Sequence, residues 1–555
     1  MARVAFVGPR DGVSAVIAER LRGGDPAADG PALLGDDPAT AAARLDAGIE
    51  TVVFRPRALA GRGPDLEAAA GFFGALAAAR PRRLVLLSSA QVYDPVHEHA
   101  GHVGEETRPR GRNPIARRWL ELEAMAAAAA AGWGGRLAVL RPATVVARDG
   151  GDPLARLLLR RRAFPLAGYG PSLQLLAPED LAAAVGCVLD RDADGVFHVA
   201  PRGVVPVRAA LRLAGARALP LPGPLLRLFG RAGGAELAYL RHPWTVGDRR
   251  LRALGWAPER SSAEALLAAA GRDPAGAPAF DDYGMDERYI AAYGRTLFRF
   301  LHRAYWRIEV RGLEHVPRHG AAVLTGVHRG FMPWDGVMAL HSVARGTGRI
   351  IRFLIHPCLV KQPFLANYMT KLGGIPACQE NGDWVLERGE LLGMFPEGIH
   401  GAFTPYRRAY RLGKFGRDEY VKMALRHGAP IVPFVTVGSA EIYPIFGRLS
   451  AGWVHRFLEW PYFPLGPNFP LPGLPLPSKW HTRFLEPLHV AGRYPPEAAD
   501  DPDVVHAISQ EVRGRLEEAI ADMLRRRKHL FWGSIFDAEE GPIAERASAP
   551  GGLRP

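Results

Sequence analysis

The chain has 555 residues, which is too many for a single hydrophobic core, so we expect two or more domains. Hydrophobic residues make up 48% and charged residues 23%, a balance that is typical of globular proteins and excludes a disordered chain. The formal net charge of +13 suits anionic partners such as lipid head groups or coenzyme phosphates. We expect no nucleic-acid partner, because no zinc spacing, recognition helix or RNA-binding motif accompanies the charge.

The N-terminal residues and the cysteines bear on the cellular compartment. Residues 4–7 predict a strand directly after the first residues, and not a signal peptide. No run reaches about 18 apolar residues, so we expect no transmembrane helix. The three scattered cysteines predict a reducing compartment, without disulfides and without a metal site. Together with the positive charge, these features predict a cytoplasmic protein, peripheral on the inner face of a membrane.

Residues 1–270 alternate short Val- and Leu-rich runs with Ala- and Arg-rich stretches of helical length. The runs at residues 51–54, 84–87 and 137–140 are examples. Strands separated by helices are typical of an α/β fold with a doubly wound parallel sheet. Gly8 and Gly12 lie between the first strand and the first helix, where a Gly-rich turn can bind a pyrophosphate.

Three further segments, LLSSAQVY at 86–93, LRPA at 140–143 and LLAPEDL at 175–181, follow this turn in order. With them, the N-terminal half resembles the extended short-chain dehydrogenase/epimerase family. The resemblance implies a Rossmann-like domain that binds NAD(P), with Gly8, Gly12 and Ser89 at the cofactor.

That family passes a proton through a Tyr and a Lys four positions later. Residues 113–119 align with this segment, and they have Ile115 at the Tyr position and Trp119 at the Lys position. Neither side chain can exchange a proton, so we expect a degenerate domain without redox turnover. Retention of NAD(P) is left open, as are roles in sensing a nucleotide, docking a partner or bracing the second domain.

The rest of the chain divides by composition. Residues 271–280 are rich in Gly and Pro and predict a linker, residues 281–536 predict a second α/β domain, and residues 537–555 predict a disordered tail. Residues 453–480 combine aromatic residues with prolines. Two interpretations stay open for this segment: a loop packed over the domain, or an interfacial lip at a membrane or acyl groove.

The second domain contains two polar clusters, each after an apolar run. His328 and Asp335 follow the run at residues 321–327, and the sequence FPEG at 395–398 lies at the end of the run at residues 391–395. Polar residues outside strand ends are typical of sites in open α/β sheets. A histidine beside a carboxylate can act as a general base.

The two clusters, with LGGIPACQ at 372–379 and APIVPF at 429–434, resemble the glycerolipid acyltransferase family from about residue 305 to 487. The resemblance implies that His328 is the general base and that Asp335 orients it. It further implies a group of substrate-binding residues: Gly374, Gln379, Phe395, Pro396, Glu397, Gly398, Arg407 and Arg408. Because Gln379 stands where the family often has an acceptor-binding Arg, both phosphorylated and uncharged acceptors stay open.

The spacing of the base pair differs from the usual His-x4-Asp of that family. Seven positions along a continuous helix would separate His328 and Asp335 by about 10 Å, too far for a hydrogen bond. We therefore expect residues 330–333 to bulge as a loop, since Gly330 and Pro333 disfavour a helix.

These observations predict an acyltransferase that moves a fatty acyl group from acyl-CoA or acyl carrier protein to a glycerolipid or another lipid hydroxyl. The reaction needs no cofactor and no metal, and we expect no covalent acyl-enzyme. Two alternatives stay open: an NAD(P)-dependent epimerase or dehydrogenase, and a non-catalytic membrane-associated scaffold.

Overall fold

The computed structural model describes residues 4–22, 32–34, 38–45, 48–95, 102–222, 225, 234–242, 244–362, 364–416, 418–468 and 474–536. The chain divides into two compact units, Met1–Gly284 and Met285–Pro555. The predicted linker at 271–280 is counted with the first unit, where Pro274–Gly276 form a turn of 3₁₀ helix. The predicted disordered tail at 537–555 lies outside the described residues.

The first unit has a six-stranded parallel sheet. Its strands are β1 (Val4–Gly8), β2 (Ala32–Leu34), β3 (Thr51–Phe54), β4 (Arg83–Leu87), β5 (Arg136–Pro142) and β6 (Gly195–Val199). Their order across the sheet is β2-β1-β3-β4-β5-β6. The order reverses between β1 and β3, so the predicted doubly wound sheet is confirmed.

Helices connect these strands. The longer ones are α1 (Gly12–Leu21), α2 (Leu66–Ala79), α3 (Pro114–Gly132) and α4 (Pro178–Asp190); shorter ones are Pro38–Ala43, Pro153–Leu158, Val207–Leu213, Gly234–Tyr239, Arg249–Ala253 and Ser262–Ala269. Asx side chains accept backbone N–H groups at the starts of the first three long helices, where such donors lack helical partners. The helices cover a sheet whose central strands are fully buried.

The second unit has a seven-stranded mixed sheet. Its strands are β7 (Glu309–Arg311), β8 (Ala322–Gly326), β9 (Ile351–Ile355), β10 (Ile375–Pro376), β11 (Leu391–Met394), β12 (Ile431–Val437) and β13 (His481–Phe484). They lie in the order β7-β13-β12-β8-β11-β9-β10, and β12 with β13 is the one antiparallel pair of this sheet in the described residues. The predicted second α/β domain is confirmed.

The helices of the second unit include α5 (Trp334–Thr347), α6 (Leu365–Lys371), α7 (Gln379–Glu387), α8 (Glu419–Arg426) and α9 (Pro502–Arg526); shorter ones are Glu287–Arg295, Leu297–Phe300, Pro357–Lys361 and Ile399–Ala402. Among the described residues, none of the helices combines the length and apolar character needed to cross a bilayer.

The strand order explains how the two polar clusters meet. Strands β8 and β11 are parallel neighbours, with Leu324 beside Gly393. Their carboxyl ends therefore lie at the same edge of the sheet, and the chain segments that follow them leave side by side. His328 follows β8 and Phe395 follows β11, so both segments reach one region.

Candidate active site

The loop between His328 and Asp335 is a tight bulge. Gly330 has φ +89°, and a Cβ at this position would lie 2.3 Å from the carbonyl oxygen of Ser439, so only glycine fits. Phe331 also has positive φ, at 57°. Helix α5 begins only at Trp334, with Asp335 in its first turn. The bulge expected from Gly330 and Pro333 is present, and it turns the chain back toward His328.

The bulge brings the two side chains into hydrogen-bond contact. The Nδ1 atom of His328 lies 2.9 and 2.8 Å from the two carboxylate oxygens of Asp335. The same carboxylate accepts the backbone N–H groups of Arg329 at 2.7 Å and Gly336 at 2.8 Å. Because Asp335 is fully buried and holds Nδ1–H, the other ring nitrogen of His328, Nε2, can accept a proton.

Phe395 fixes the plane of the imidazole. Its ring stacks on His328 with 4.8 Å between centroids and 23° between planes. The ring of Phe353 in turn stacks on that of Phe395, with 5.4 Å between centroids. The histidine is therefore held by a carboxylate at one edge and an aromatic ring on one face, which restricts it to one orientation.

A cavity of about 840 Å³ opens beside His328. Its wall is mainly apolar and comes from the segments after β8, β9 and β11 and from helices α5, α6 and α8; it includes Met332, Val337, Leu340, Phe353, Leu365, Met369, Leu372, Met423 and Trp460. A volume of this size accepts a long apolar chain, since ligand sites of proteins span ~300–1,000 Å³.

Five of the predicted substrate-binding residues line this cavity together with Glu397: Gly374, Gln379, Phe395, Pro396 and Gly398. Arg407 and Arg408 do not, and both are exposed on a short 3₁₀ helix, Tyr406–Arg408. The prediction that they bind the acceptor is therefore corrected. Among the described residues, no Lys or Arg lines the cavity.

Glu397 lines the cavity but its carboxylate already has partners. Arg329 donates from Nη1 to Oε2 at 2.7 Å and from Nη2 to Oε1 at 3.1 Å, and the N–H of Gly413 donates to Oε1 at 2.6 Å. The side chains of Arg329 and Glu397 are 1% and 3% exposed. Glu397, predicted to bind the substrate, is thus one half of a buried bidentate ion pair.

Arg329 is a residue of this site that the sequence did not predict. Besides Glu397, its guanidinium donates to the carbonyl oxygens of His328 at 2.6 Å and Arg411 at 3.0 Å, and to that of Ala409. It thus ties the base segment to residues 409–413. Its position directly after His328 is the signal that the sequence offers, but an arginine in a basic chain is usually exposed.

Cys378 also lines the cavity and could in principle accept an acyl group. Burial raises the pKa of the Cys378 thiol to about 12. At neutral pH the sulfur is therefore protonated, and a thiol is a far weaker nucleophile than a thiolate. The raised pKa therefore disfavours a role of this cysteine as a nucleophile.

The first unit has a different arrangement at its Gly-rich turn. The N–H of Gly12 donates to the Asp149 carboxylate at 2.9 Å, and that of Ser14 donates to Asp11 at 2.9 Å. Arg55 pairs with Asp11 at 2.7 Å and donates to the Gly150 carbonyl oxygen at 2.6 Å. Two carboxylates thus occupy the start of α1, where the pyrophosphate of a dinucleotide would bind.

The residues present at this turn do not fit a dinucleotide. The cavity beside Gly8 and Arg55 has a volume of about 40 Å³, far below the ~300 Å³ of small-molecule sites. A pyrophosphate would also lie against Asp11 and Asp149, and like charges repel. Gly8 and Gly12 lie at this turn, and their role at a cofactor stays a prediction that the carboxylates of Asp11 and Asp149 disfavour.

Ser89, the third residue predicted at the cofactor, is also engaged within the protein, as are the residues at the family's Tyr and Lys positions. Ser89 caps a 3₁₀ turn by accepting the N–H of Gln91 at 3.1 Å. Ile115 and Trp119 are buried in the core of the unit. Tyr93 is fully buried, and its hydroxyl bonds Arg141 at 2.8 Å and His198 at 2.9 Å. Burial raises the pKa of Tyr93, so this tyrosine does not replace the missing proton relay.

We expect the full-length protein to bind neither NAD nor NADP. Calorimetric titration with either nucleotide should show no saturable heat, and absorbance at the reduced-cofactor band should not change with alcohols, ketones or nucleotide sugars. The physical reason is the pair of carboxylates at the start of α1. Micromolar binding of either nucleotide would contradict the assignment of this helix end to Asp11 and Asp149.

The Acyltransferase family matches residues 307–437 of the chain, which include the His328–Asp335 pair and the FPEG segment. An uncharacterised protein of Mycobacterium tuberculosis is 37% identical over 260 residues, which cover 46% of this chain and 72% of that protein. An uncharacterised protein of Mycobacterium leprae is 33% identical over 342 residues, covering 59% of this chain and 92% of that protein. Chloroplastic phytyl ester synthase 1 of Arabidopsis thaliana is 26% identical over 254 residues, which cover 41% of this chain and 36% of that protein.

Solved structures also resemble the chain. UDP-glucose 4-epimerase of Thermus thermophilus, solved as a complex with NAD, is similar with 16% identity and a TM-score of 0.40, covering 50% of this chain and all of that one. Because this TM-score is low, the fold of the first unit is assigned from its own strand order.

Proposed function

This chain belongs to one family with the mycobacterial proteins and contains an acyltransferase domain, and from that premise we propose that it transfers a fatty acyl group from a thioester to an uncharged lipid hydroxyl. The donor is acyl-CoA or acyl carrier protein, and the acceptor is an acylglycerol or a long-chain alcohol. The observation that carries the proposal is the position of the His328–Asp335 pair at an apolar cavity whose described lining residues include no Lys or Arg.

In the proposed mechanism, His328 acts first on the acceptor. Its Nε2 takes the hydroxyl proton while the acceptor oxygen attacks the carbonyl carbon of the thioester. The C–S bond then breaks, and the imidazolium returns the proton to the departing sulfur. Asp335 stabilises the imidazolium and holds the tautomer with its proton on Nδ1. The buried Cys378 thiol stays outside this sequence.

The absence of Lys and Arg from the described cavity lining supports an uncharged acceptor. A phosphate buried in this cavity would lose hydration without gaining a Lys or Arg partner, which costs several kcal/mol. The name of the Arabidopsis relative refers to an ester of phytol, a lipid alcohol. Such acceptors reside in bilayers, so the proposal includes peripheral association of the chain with an anionic membrane at its cytoplasmic face.

We expect the purified protein to acylate diacylglycerol or a long-chain alcohol at least roughly ten-fold faster than lysophosphatidic acid. A ten-fold difference in rate corresponds to ~1.4 kcal/mol, and burial of a phosphate without a charged partner costs at least that much. The measurement is transfer of labelled acyl groups from acyl-CoA to a panel of acceptors in mixed micelles. The His328→Ala variant gives the background. Equal rates with the phosphorylated acceptor would show that the cavity handles a phosphate and would contradict the acceptor class.

A further inference from the structure

A cluster of exposed aromatic and basic residues lies on the segment that leads to the cavity. Residues 446–465, here the aromatic hairpin, contain the antiparallel strands Gly447–Leu449 and Phe463–Leu465. Three large apolar side chains of this hairpin face water: Phe446 is 69% exposed, Leu449 45% and Trp453 49%. Exposed apolar side chains grouped in this way are typical of interaction surfaces.

Exposed arginines lie near these side chains along the chain. Tyr406 connects residues 404–411 to the start of the hairpin. The backbone N–H of Tyr406 donates to the carbonyl oxygen of Ile445 at 2.9 Å, and the Tyr406 ring lies 5.7 Å from that of Phe446. The next two residues are the exposed Arg407 and Arg408, and Arg448 is exposed between Phe446 and Leu449. Within residues 404–411 and 446–465 the sequence contains five arginines and one carboxylate, Glu459. The surface is therefore positive as well as apolar.

Aromatic contacts run from this surface to the cavity. Trp453 lies 6.2 Å from Phe463, Phe463 lies 5.9 Å from Trp460, and Trp460 lies 5.1 Å from Phe331, measured between ring centroids. Trp460 and Phe331 line the cavity beside His328. The exposed end of the hairpin is thus connected to the reaction cavity by continuous ring packing.

We propose that the aromatic hairpin, with Arg407 and Arg408, docks the second unit on an anionic bilayer and admits the lipid acceptor into the cavity past Trp460 and Phe331. The inference rests on the proposed function, since it concerns where that reaction obtains its acceptor. Phe446, Leu449 and Trp453 enter the head-group region, and the arginines bind lipid phosphates. An acidic carrier protein would match the arginines, but three water-exposed apolar side chains favour a bilayer.

The test is flotation of the full-length protein with vesicles of phosphatidylcholine alone or of phosphatidylcholine mixed with the anionic lipid phosphatidylglycerol. The wild type should float with the anionic vesicles and detach as the salt concentration rises. Phe446→Ala/Trp453→Ala and Arg407→Glu/Arg408→Glu should each lower the bound fraction at least roughly ten-fold. The matched control is Trp532→Ala, which removes another exposed tryptophan, 65% exposed, outside the hairpin.

Activity separates this inference from the proposed function. Phe446→Ala/Trp453→Ala and Arg407→Glu/Arg408→Glu should both transfer acyl groups to a water-soluble short-chain alcohol at the wild-type rate. Both should lose transfer to diacylglycerol in vesicles. Vesicle binding that is unchanged in both double variants would overturn the docking surface. The same holds if the variants still bind vesicles but lose binding to acyl carrier protein in a separate binding assay. If no uncharged acceptor is acylated while vesicle binding depends on the hairpin, the proposed function fails and the surface remains.

Discussion

Replacement of His328 by alanine is expected to lower acyl transfer by about 10²–10⁴-fold, the typical contribution of a positioned general base. The imidazole lines the cavity, and with Nδ1 hydrogen-bonded to Asp335 its Nε2 is the nitrogen available to the acceptor proton. The assay is transfer from labelled acyl-CoA at saturating acceptor. His319→Ala is the control, because His319 is an exposed histidine of the same unit outside the cavity.

Asp335→Asn should also reduce the rate severely, though less than loss of the base. An amide cannot stabilise the imidazolium, and it can reverse the tautomer of His328. The buried carboxylate further accepts two backbone N–H groups, from Arg329 and Gly336, so thermal unfolding must be measured beside activity. Activity of His328→Ala within a few-fold of the wild type would remove His328 from the mechanism, whatever the result for Asp335.

Local patterns predicted the fold because the central strands of both sheets are mainly apolar. Strands β3, β4 and β8 are buried at every position, as is typical of parallel sheets covered on both faces. The bulge before Asp335 was predictable for a similar reason. Gly330 and Pro333 lie within the bulge itself, and each disfavours a helix at its own position, so the bulge can be predicted from these few residues alone.

The contacts that changed the interpretation of both sites join residues far apart in the chain. Arg329 and Glu397 are 68 positions apart, and Gly12 and Asp149 are 137 apart. Neither residue of such a pair marks its partner in a single sequence. The sequence therefore identified Glu397 and Gly12 as site residues but could not show that their hydrogen-bonding groups already have partners within the fold.

Glu397 can be tested directly as a partner of Arg329 rather than a ligand of the acceptor. Arg329→Met should lower the free energy of unfolding of the second unit by about 3–5 kcal/mol, because it leaves the Glu397 carboxylate buried without its cation. Glu397→Met should have a similar effect, since it leaves the guanidinium unpaired. Arg493→Met, which breaks a more exposed pair with Glu511, should cost about 1 kcal/mol or less.

The double variant Arg329→Met/Glu397→Met decides between the two roles. Apolar residues of similar length in place of a buried ion pair are often neutral or stabilising, so most of the lost stability should return. If Glu397 serves to hold Arg329, and through it the carbonyl group of His328, the KM for the acceptor should stay within a few-fold of wild type while kcat falls. Urea unfolding and acceptor saturation curves, measured on all three variants, provide these quantities. A double variant that regains stability but shows a large rise in the acceptor KM with kcat unchanged would instead make Glu397 a direct ligand of the acceptor.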